Sequence, residues 1–432
     1  MRADRPVLRQ SPGAIWQAVI RNLGWLLASR GVVALLSLLY LGIAARTLGL
    51  VGFGRFSLIT GSAQALTTLV AFQSWQMIVQ FGVEPAQTND TARLARLFRG
   101  SALMDALGAL LGTVLAVAIL ELWSRDLGIG ETLKRAALIY TIIQVVTIRS
   151  TALGILRLRD HFSLAAIADS TNPVVRVIGA ALVMVLHPTL QGFLVVWAAA
   201  EVVTAATYWG MVAWTGDLKL LIQGRDFRRM LDENPGYLNF AISTNASATL
   251  GIASKQIPLL FIGSQLGVAA AGTFRLAAQL AQALGKLGQL LSRAAFPEVV
   301  RALRASETDA VHRLLLRTVV VSAAIGSVIV ILAATIGRSV LTLVGGRAFE
   351  GGATILLWMA AVGAVDLIAV GLDTVLTARG HAGRIFLVRF AGVGATIVAA
   401  YIAFPVLGDT GVAIALLAGS LTVTGLLICL SK

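Results

Sequence analysis

Apolar stretches of roughly 20 residues, separated by short polar breaks, recur along the whole of this chain. That is the length at which a helix crosses the hydrocarbon of a bilayer while satisfying every backbone hydrogen bond internally. Few other folds accommodate such a pattern, so the chain is expected to be an all-α polytopic membrane protein. Composition agrees: of 432 residues, 57% are hydrophobic and only 13% are charged, and the mean hydropathy of +0.84 lies far from that of a soluble domain. The first apolar segment, Leu23 to Ala45, is too long for a cleaved signal peptide, and a second follows almost at once.

About twelve spans can be placed. The first six run near Leu23 to Ala45, Phe56 to Gln80, Ser101 to Trp123, Ala136 to Leu156, Phe162 to Leu186 and Gly192 to Trp214. The other six run near Gly236 to Gly263, Phe274 to Phe296, Leu314 to Gly337, Gly352 to Ala378, Ile385 to Phe404 and Gly411 to Leu430. The expected organisation is a cytoplasmic segment over 1–22, a six-helix bundle over 23–214, a basic cytoplasmic linker over 215–235 and a second six-helix bundle over 236–430. No stretch between spans is long enough for a soluble domain.

The formal net charge of +14 raises the question of a nucleic-acid partner, and the placement of the cations answers it. With the N-terminus inside, twenty Lys and Arg residues fall in cytoplasmic segments, among them Arg93, Arg96, Arg99 and Arg229, and seven fall in the opposite loops. This is the positive-inside bias, so both termini are expected in the cytoplasm and no nucleic acid is expected as a partner. Cys429 is the single cysteine, and none of the four histidines has metal-ligand spacing to another. No metal site and no cofactor are expected.

One stretch occurs twice. LGLVGFGRFSLITGSAQAL begins at Leu48 and LGVAAAGTFRLAAQLAQAL at Leu266, with nine identities in nineteen positions. Each copy leads into the second span of its half. An even number of spans per half inserts both copies the same way up, so the bundles should be related by a pseudo-two-fold axis along the membrane normal, with a central cavity between them. The glycines of the repeat suit tight turns and close helix approach, and they argue architecture more than ligand binding.

Ionisable residues inside spans point more directly to function, because each costs roughly 2.5–3.5 kcal/mol at mid-membrane on insertion scales. Arg149, Arg176, Lys286, Glu201 and Asp366 lie deepest, while Arg30, Lys255, Arg275, Arg293, Asp105, Asp169, Asp373 and Arg389 complete the set. Eight cations against five acids leave a cavity suited to an anion, and arginine in particular matches phosphate through paired hydrogen bonds. For any one acid the alternative is a structural ion pair, as for Asp169 with Arg176 two turns away. Pro173 and Pro258 mark the places where a span would be broken to line the cavity, with a plain kink as the rival reading.

These residues resemble the polysaccharide and O-antigen flippases of the multidrug/oligosaccharidyl-lipid/polysaccharide exporter superfamily. The similar stretches are Ser29-Arg30 followed by ARTLGLVGFGRF, LRLRDHF at Leu156 to Phe162, FIGSQLGVAAAGTF, AAFPEVVRA at Ala294 to Ala302, and LTLVGGRAFEGGATIL from Leu341. The resemblance implies a transporter, not an enzyme, that turns undecaprenyl-diphosphate-linked oligosaccharide from the cytoplasmic to the periplasmic leaflet of the bacterial inner membrane for cell-surface polysaccharide biosynthesis. Lipopolysaccharide, O-antigen and exopolysaccharide are the glycans that it brings into view. The expected substrate-binding set is Arg30, Arg149, Arg176, Lys255 and Lys286, with Asp366 and then Glu201 for ion coupling. Partners would be the lipid-linked oligosaccharide, membrane lipids and glycan polymerase or export proteins, and the chain would act as a monomer. Gln256 to Pro258 stands where many relatives carry an acid, which counts against ion coupling in that span. The alternatives are a cation-coupled multidrug exporter on the same fold, expected to have an acid-rich cavity, and a membrane-embedded glycosyltransferase or polymerase, expected to have a large extracytoplasmic loop.

Overall fold

The computed structural model describes residues 12–123, 131–223, 226–285, 308–378 and 382–431. Helices account for the membrane-spanning part. They are α1 (Pro12–Val70), α2 (Ser74–Gln87), α3 (Thr91–Trp123), α4 (Glu131–Val146), α5 (Ser150–Leu158), α6 (Phe162–Leu186) and α7 (Leu190–Trp214) in the first half. The linker forms α8 (Leu218–Gln223) and α9 (Phe227–Glu233). The second half comprises α10 (Tyr237–Lys255), α11 (Ile257–Leu266), α12 (residues 268–285), α13 (Thr308–Gly345), a 3-10 turn at Arg347–Gly352, α14 (Ala353–Ala378) and α15 (Ala382–Ser431).

Twelve spans fit this list because two helices each carry a pair. α1 turns at Gly49, whose φ of 65° is open to glycine and strained for other residues, and α15 turns at Gly408 with φ 56°. Three spans are each built from two shorter helices: the second from the end of α1 and α2, the fourth from α4 and α5, and the seventh from α10 and α11. Of the two prolines read as breaks, Pro258 opens α11 after the interruption at Gln256. Pro173 does not break its span, since α6 runs through it from Phe162 to Leu186.

The helix faces are reversed relative to a soluble protein: Val185, Leu186, Val195, Leu110 and Tyr401 are exposed. Lipid replaces water as the solvent of these faces, so burial follows packing between helices. The largest buried cluster crosses both halves. It joins Phe53, Phe56 and Leu58 of α1 and Phe193 and Trp197 of α7 to Leu259 of α11, Phe274 and Leu276 of α12, Leu341 of α13, Phe349 and Leu416 of α15. At the opposite ends of the helices the cores are smaller: around Met77, Leu97 and Tyr237 one of them joins α2 and α3 to the start of α10, and two others each stay within one half. Of these two, one lies in the first half around Phe98, Ile155 and Tyr208, and the other in the second half around Leu372, Val388 and Leu427. The most extensive shared core between the two halves therefore lies at the end carrying Gly49 and Gly267.

The fusion is made by the repeated stretch. Gly267 has φ 85° and ψ 179°, the counterpart of Gly49 at φ 65° and ψ −177°. A Cβ on Gly54 would strike the Val268 carbonyl, and one on Gly272 would lie 2.8 Å from the Leu50 carbonyl oxygen. At the same end Arg46 of α1 closes the C-terminus of α13, donating to the carbonyl oxygens of Val344 at 3.2 Å, Thr342 at 3.4 Å and Leu343. A guanidinium at the negative end of a helix dipole is favourably placed, and it satisfies carbonyls that the helix leaves open.

The linker belongs with the first bundle. Arg96 of α3 grips the Glu233 carboxylate at 2.7 and 2.6 Å, Arg93 donates to the Glu233 carbonyl at 2.9 Å, and Arg99 donates to the carbonyls of Leu221 and Ile222 at 3.3 and 3.2 Å. Met230 is fully buried beside Gly100. Arg159 holds Asp217 at 2.8 Å. Arginines that the sequence pattern assigns only to topology thus hold the linker, three of them spaced along α3 and a fourth at the end of α5.

Candidate functional site

Three elements of the first bundle converge on one carboxylate. Glu201 of α7, 6% exposed, accepts hydrogen bonds from Arg149 Nη1 at 2.8 Å, Arg176 Nη2 at 2.8 Å and Asn172 Nδ2 at 3.0 Å. Arg176 and Asn172 stand four residues apart on α6, which places both on one helix face. Arg149 stands in the interruption between α4 and α5, where it precedes the first residue of α5. Two guanidiniums on one carboxylate leave an excess positive charge in the protein interior.

Aromatic rings frame this excess. The Arg176 guanidinium lies 5.1 Å from the Trp197 ring centre and 5.6 Å from that of Tyr40, within the range of cation–π attraction. Tyr40 and Trp197 pack edge to face at 5.2 Å. The Nε–H of Arg176 is buried and has no acceptor among the described residues. Across the junction, Arg275 of α12 comes within electrostatic reach of Tyr40, Tyr140 and Arg176. No carboxylate lies within ion-pair distance of Arg275 among the described residues. Arginines from both bundles thus share one region with a single acid among the described residues, an arrangement that attracts an anionic ligand.

The sequence-derived set divides accordingly. Arg149, Arg176 and Glu201 are brought together. Lys255 is exposed at the end of α10, beside the Gln256 interruption, and no hydrogen bond or ion pair joins it to the cluster. Asp366 lies apart in α14, where its carboxylate accepts from Ser420 Oγ at 2.7 Å. Lys286 and the side chain of Arg30 lie outside the described residues. The Asp169–Arg176 pairing suggested by their spacing does not form: Asp169 accepts instead from the Tyr208 hydroxyl at 2.6 Å. Arg275 is one of the in-span charges outside the expected binding set, and its place directly after the repeated LGVAAAGTF is the sequence signal for it. Tyr40, Tyr140 and Trp197 gave no signal, since aromatic residues in a span ordinarily read as packing.

An apolar cavity of about 140 Å³ lies between the halves, lined by Leu35 and Leu38 of α1, Leu280 and Leu284 of α12, and Leu332 and Ile336 of α13.

Comparison with known proteins agrees with this architecture. Residues 19–303 match the family described as polysaccharide biosynthesis protein. The inner membrane protein YghQ of Escherichia coli (strain K12) is 28% identical over 290 residues, covering 66% of this chain and 81% of that protein. Among solved structures, an inward-facing multidrug resistance MATE family transporter of the MOP superfamily superposes with a TM-score of 0.76 at 14% identity, over 93% of this chain and 97% of that one. The lipid II flippase MurJ in its inward closed conformation gives 0.73 at 14% identity, over 94% and 87%. These likenesses establish the fold, two six-helix bundles about a central region, and the match over two thirds of the sequence establishes descent: the chain belongs to the polysaccharide biosynthesis protein family.

Proposed function

We propose that the protein is a flippase that carries an undecaprenyl-diphosphate-linked oligosaccharide from the cytoplasmic to the periplasmic leaflet of the bacterial inner membrane, with both termini in the cytoplasm. The observation that carries this reading is the pairing of both Arg149 and Arg176 with the one carboxylate of Glu201, with Arg275 of α12 within electrostatic reach of Arg176. A diphosphate bears the charge that this cluster lacks, and guanidinium groups meet phosphate oxygens with paired N–H donors. The Arg176 Nε–H, unpartnered among the described residues, and Arg275, with which no described carboxylate pairs, are the donors available to it. Glu201 acts as the counter-ion that keeps the arginines in place before the headgroup arrives. The apolar cavity between α1, α12 and α13 suits a hydrocarbon tail that stays in the membrane while the headgroup is inside. A multidrug exporter for cationic compounds would need the opposite charge in this region.

Transport then follows from the geometry of the two bundles. One end is closed by the Gly54–Gly272 contact, the other is joined by the smaller core around Met77, Leu97 and Tyr237, and rocking about the site would expose it to each leaflet in turn. Asp366, apart in the second bundle, is the candidate for ion coupling. Reconstitution into liposomes with a fluorescent undecaprenyl-diphosphate glycan tests the proposal. Exchange between leaflets that depends on Arg176 and Arg275 is expected. Absence of exchange for every glycan supplied, from a folded protein, would overturn the function and leave the fold standing.

A further inference from the structure

Asp105 is not used by the reading above, and its surroundings are unusual. It projects from α3 at 6% exposure, and both of its oxygens are engaged by neutral donors. Oδ2 accepts from the Thr151 backbone N–H at 3.1 Å and from the Thr151 hydroxyl at 2.7 Å, and Oδ1 accepts from the Ser74 hydroxyl. Ser74 is the first residue of α2 and Thr151 the second of α5. One carboxylate therefore holds the first turns of the two helices that resume after the interruptions of the second and fourth spans.

The helix starts explain why a carboxylate belongs there. The first turn of a helix has backbone N–H groups without intrahelical partners and carries the positive end of the dipole. Neither Gln73 nor Arg149, the residues before α2 and α5, caps its helix with its own side chain. Asp105 supplies the acceptor from a third helix, in an environment where an unmet donor has no water to turn to. The two starts also touch directly: the Trp75 N–H donates to Ser150 Oγ at 3.1 Å, and a Cβ on Gly154 would stand 2.8 Å from the Trp75 Cα.

Arg149 sits between two such anchors. On one side Trp209 Nε1 donates to the Ile148 carbonyl at 2.8 Å, and on the other Thr151 is held by Asp105. The backbone of the interruption is thereby fixed on both flanks of the residue whose side chain reaches Glu201. We propose that Asp105 is a positioning residue which, by pinning α5 to α2, sets the direction in which Arg149 enters the cavity. The inference rests on the ligand role given to Arg149 for its functional consequence, but not for the placement itself.

Cysteine accessibility separates the two. In a Cys429→Ser background, Arg149→Cys is labelled in membranes with an anionic methanethiosulfonate reagent, alone and combined with Asp105→Asn or Asp105→Ala. The amide can still accept from Thr151, with the Ser74 hydroxyl turned to accept from its nitrogen, so Asp105→Asn should keep the labelling rate within about twofold. Asp105→Ala should change it by about fivefold or more, since small misplacements have large effects on access and reaction. An unchanged rate in folded Asp105→Ala protein overturns the proposal. Should that variant not fold, Thr151→Val and Ser74→Ala each remove one arm, and native rates in both overturn it equally. With Arg149 present, Asp105→Ala, Arg149→Gln and the double variant are compared in the liposome assay. A double loss no larger than the worse single supports action through Arg149, and additive losses count against it. Native transport in Arg149→Gln would remove that residue's ligand role and leave the labelling result to decide the placement.

Discussion

Gly54 and Gly272 pack against each other across the junction of the bundles, with a Cβ on Gly272 falling 3.1 Å from the Gly54 Cα. The contact is reciprocal. Gly54 faces the carbonyl of Val268, four residues before Gly272, and Gly272 faces the carbonyl of Leu50, four residues before Gly54. Such mutual contact is what a local two-fold axis produces, with the same patch on both sides. Gly54→Ala places a methyl against a backbone atom that cannot rotate away, at a cost of about 1–3 kcal/mol. The variant should favour the state in which the bundles part at this end. Spin-label distances across the junction should lengthen and transport should fall; native distances would show that the seam tolerates the methyl.

Removing Glu201 leaves two guanidiniums without their shared acceptor. Breaking a buried ion pair from one side costs roughly 3–5 kcal/mol, so Glu201→Gln should lower thermal stability in detergent substantially. The two arginines should differ. Arg176 has a side chain 17% exposed and Arg149 one 40% exposed, so the half-open pair is the weaker. Arg176→Gln is expected to destabilise more than Arg149→Gln, and melting temperatures in the reverse order would refute this ranking.

Among the described residues Arg275 has no carboxylate partner to lose. Arg275→Gln should therefore leave thermal stability unchanged or slightly raised, because a buried cation without a counter-ion is itself a cost. Transport should fall about tenfold or more, corresponding to loss of a charge-assisted contact to phosphate. A melting temperature that falls in step with transport would move Arg275 from ligand binding to packing.

The docking of the linker should depend on pH with a defined sign. The hydrogen bond from Arg96 is the largest influence that lowers the Glu233 pKa below its ordinary 4.5, outweighing the opposing effect of burial. A carboxylate with a lowered folded-state pKa adds stability that is complete above the ordinary value and is lost as pH falls through the lowered one. Hydrogen-exchange protection over 218–223 and 226–233 should be high at neutral pH and stay high down to about pH 4.5, then fall below it. Glu233→Gln should exchange fast throughout. Equal protection of native and variant linkers at neutral pH would dismiss the Arg96 contact as the clamp.

Several features could be read directly from the residues. Span number follows from apolar length, and the pairing of the halves follows from the Leu48 and Leu266 repeat. The Gln256 interruption was signalled by Pro258, because proline removes a donor from the ladder. The interruptions at Ala71 to Gln73 and Thr147 to Arg149 carry no proline or glycine. Their signals were Ser74 and Ser150-Thr151, helix-start residues in mid-span, which gain meaning only with Asp105 opposite them. Pro173 was misleading for the converse reason: α6 absorbs it without interruption.

Charge in an apolar span has a fixed cost, so the sequence alone determined that Arg149, Arg176, Glu201 and Arg275 must find partners or a cavity. It could not say which partner each would find. Seven residues separate Asp169 from Arg176 on one helix face, yet Arg176 pairs with Glu201 on α7 and Asp169 with Tyr208. Helical periodicity fixes only the face on which a side chain stands. Which neighbouring helix meets that face, and which charges then share one acceptor, is decided by the packing of the spans.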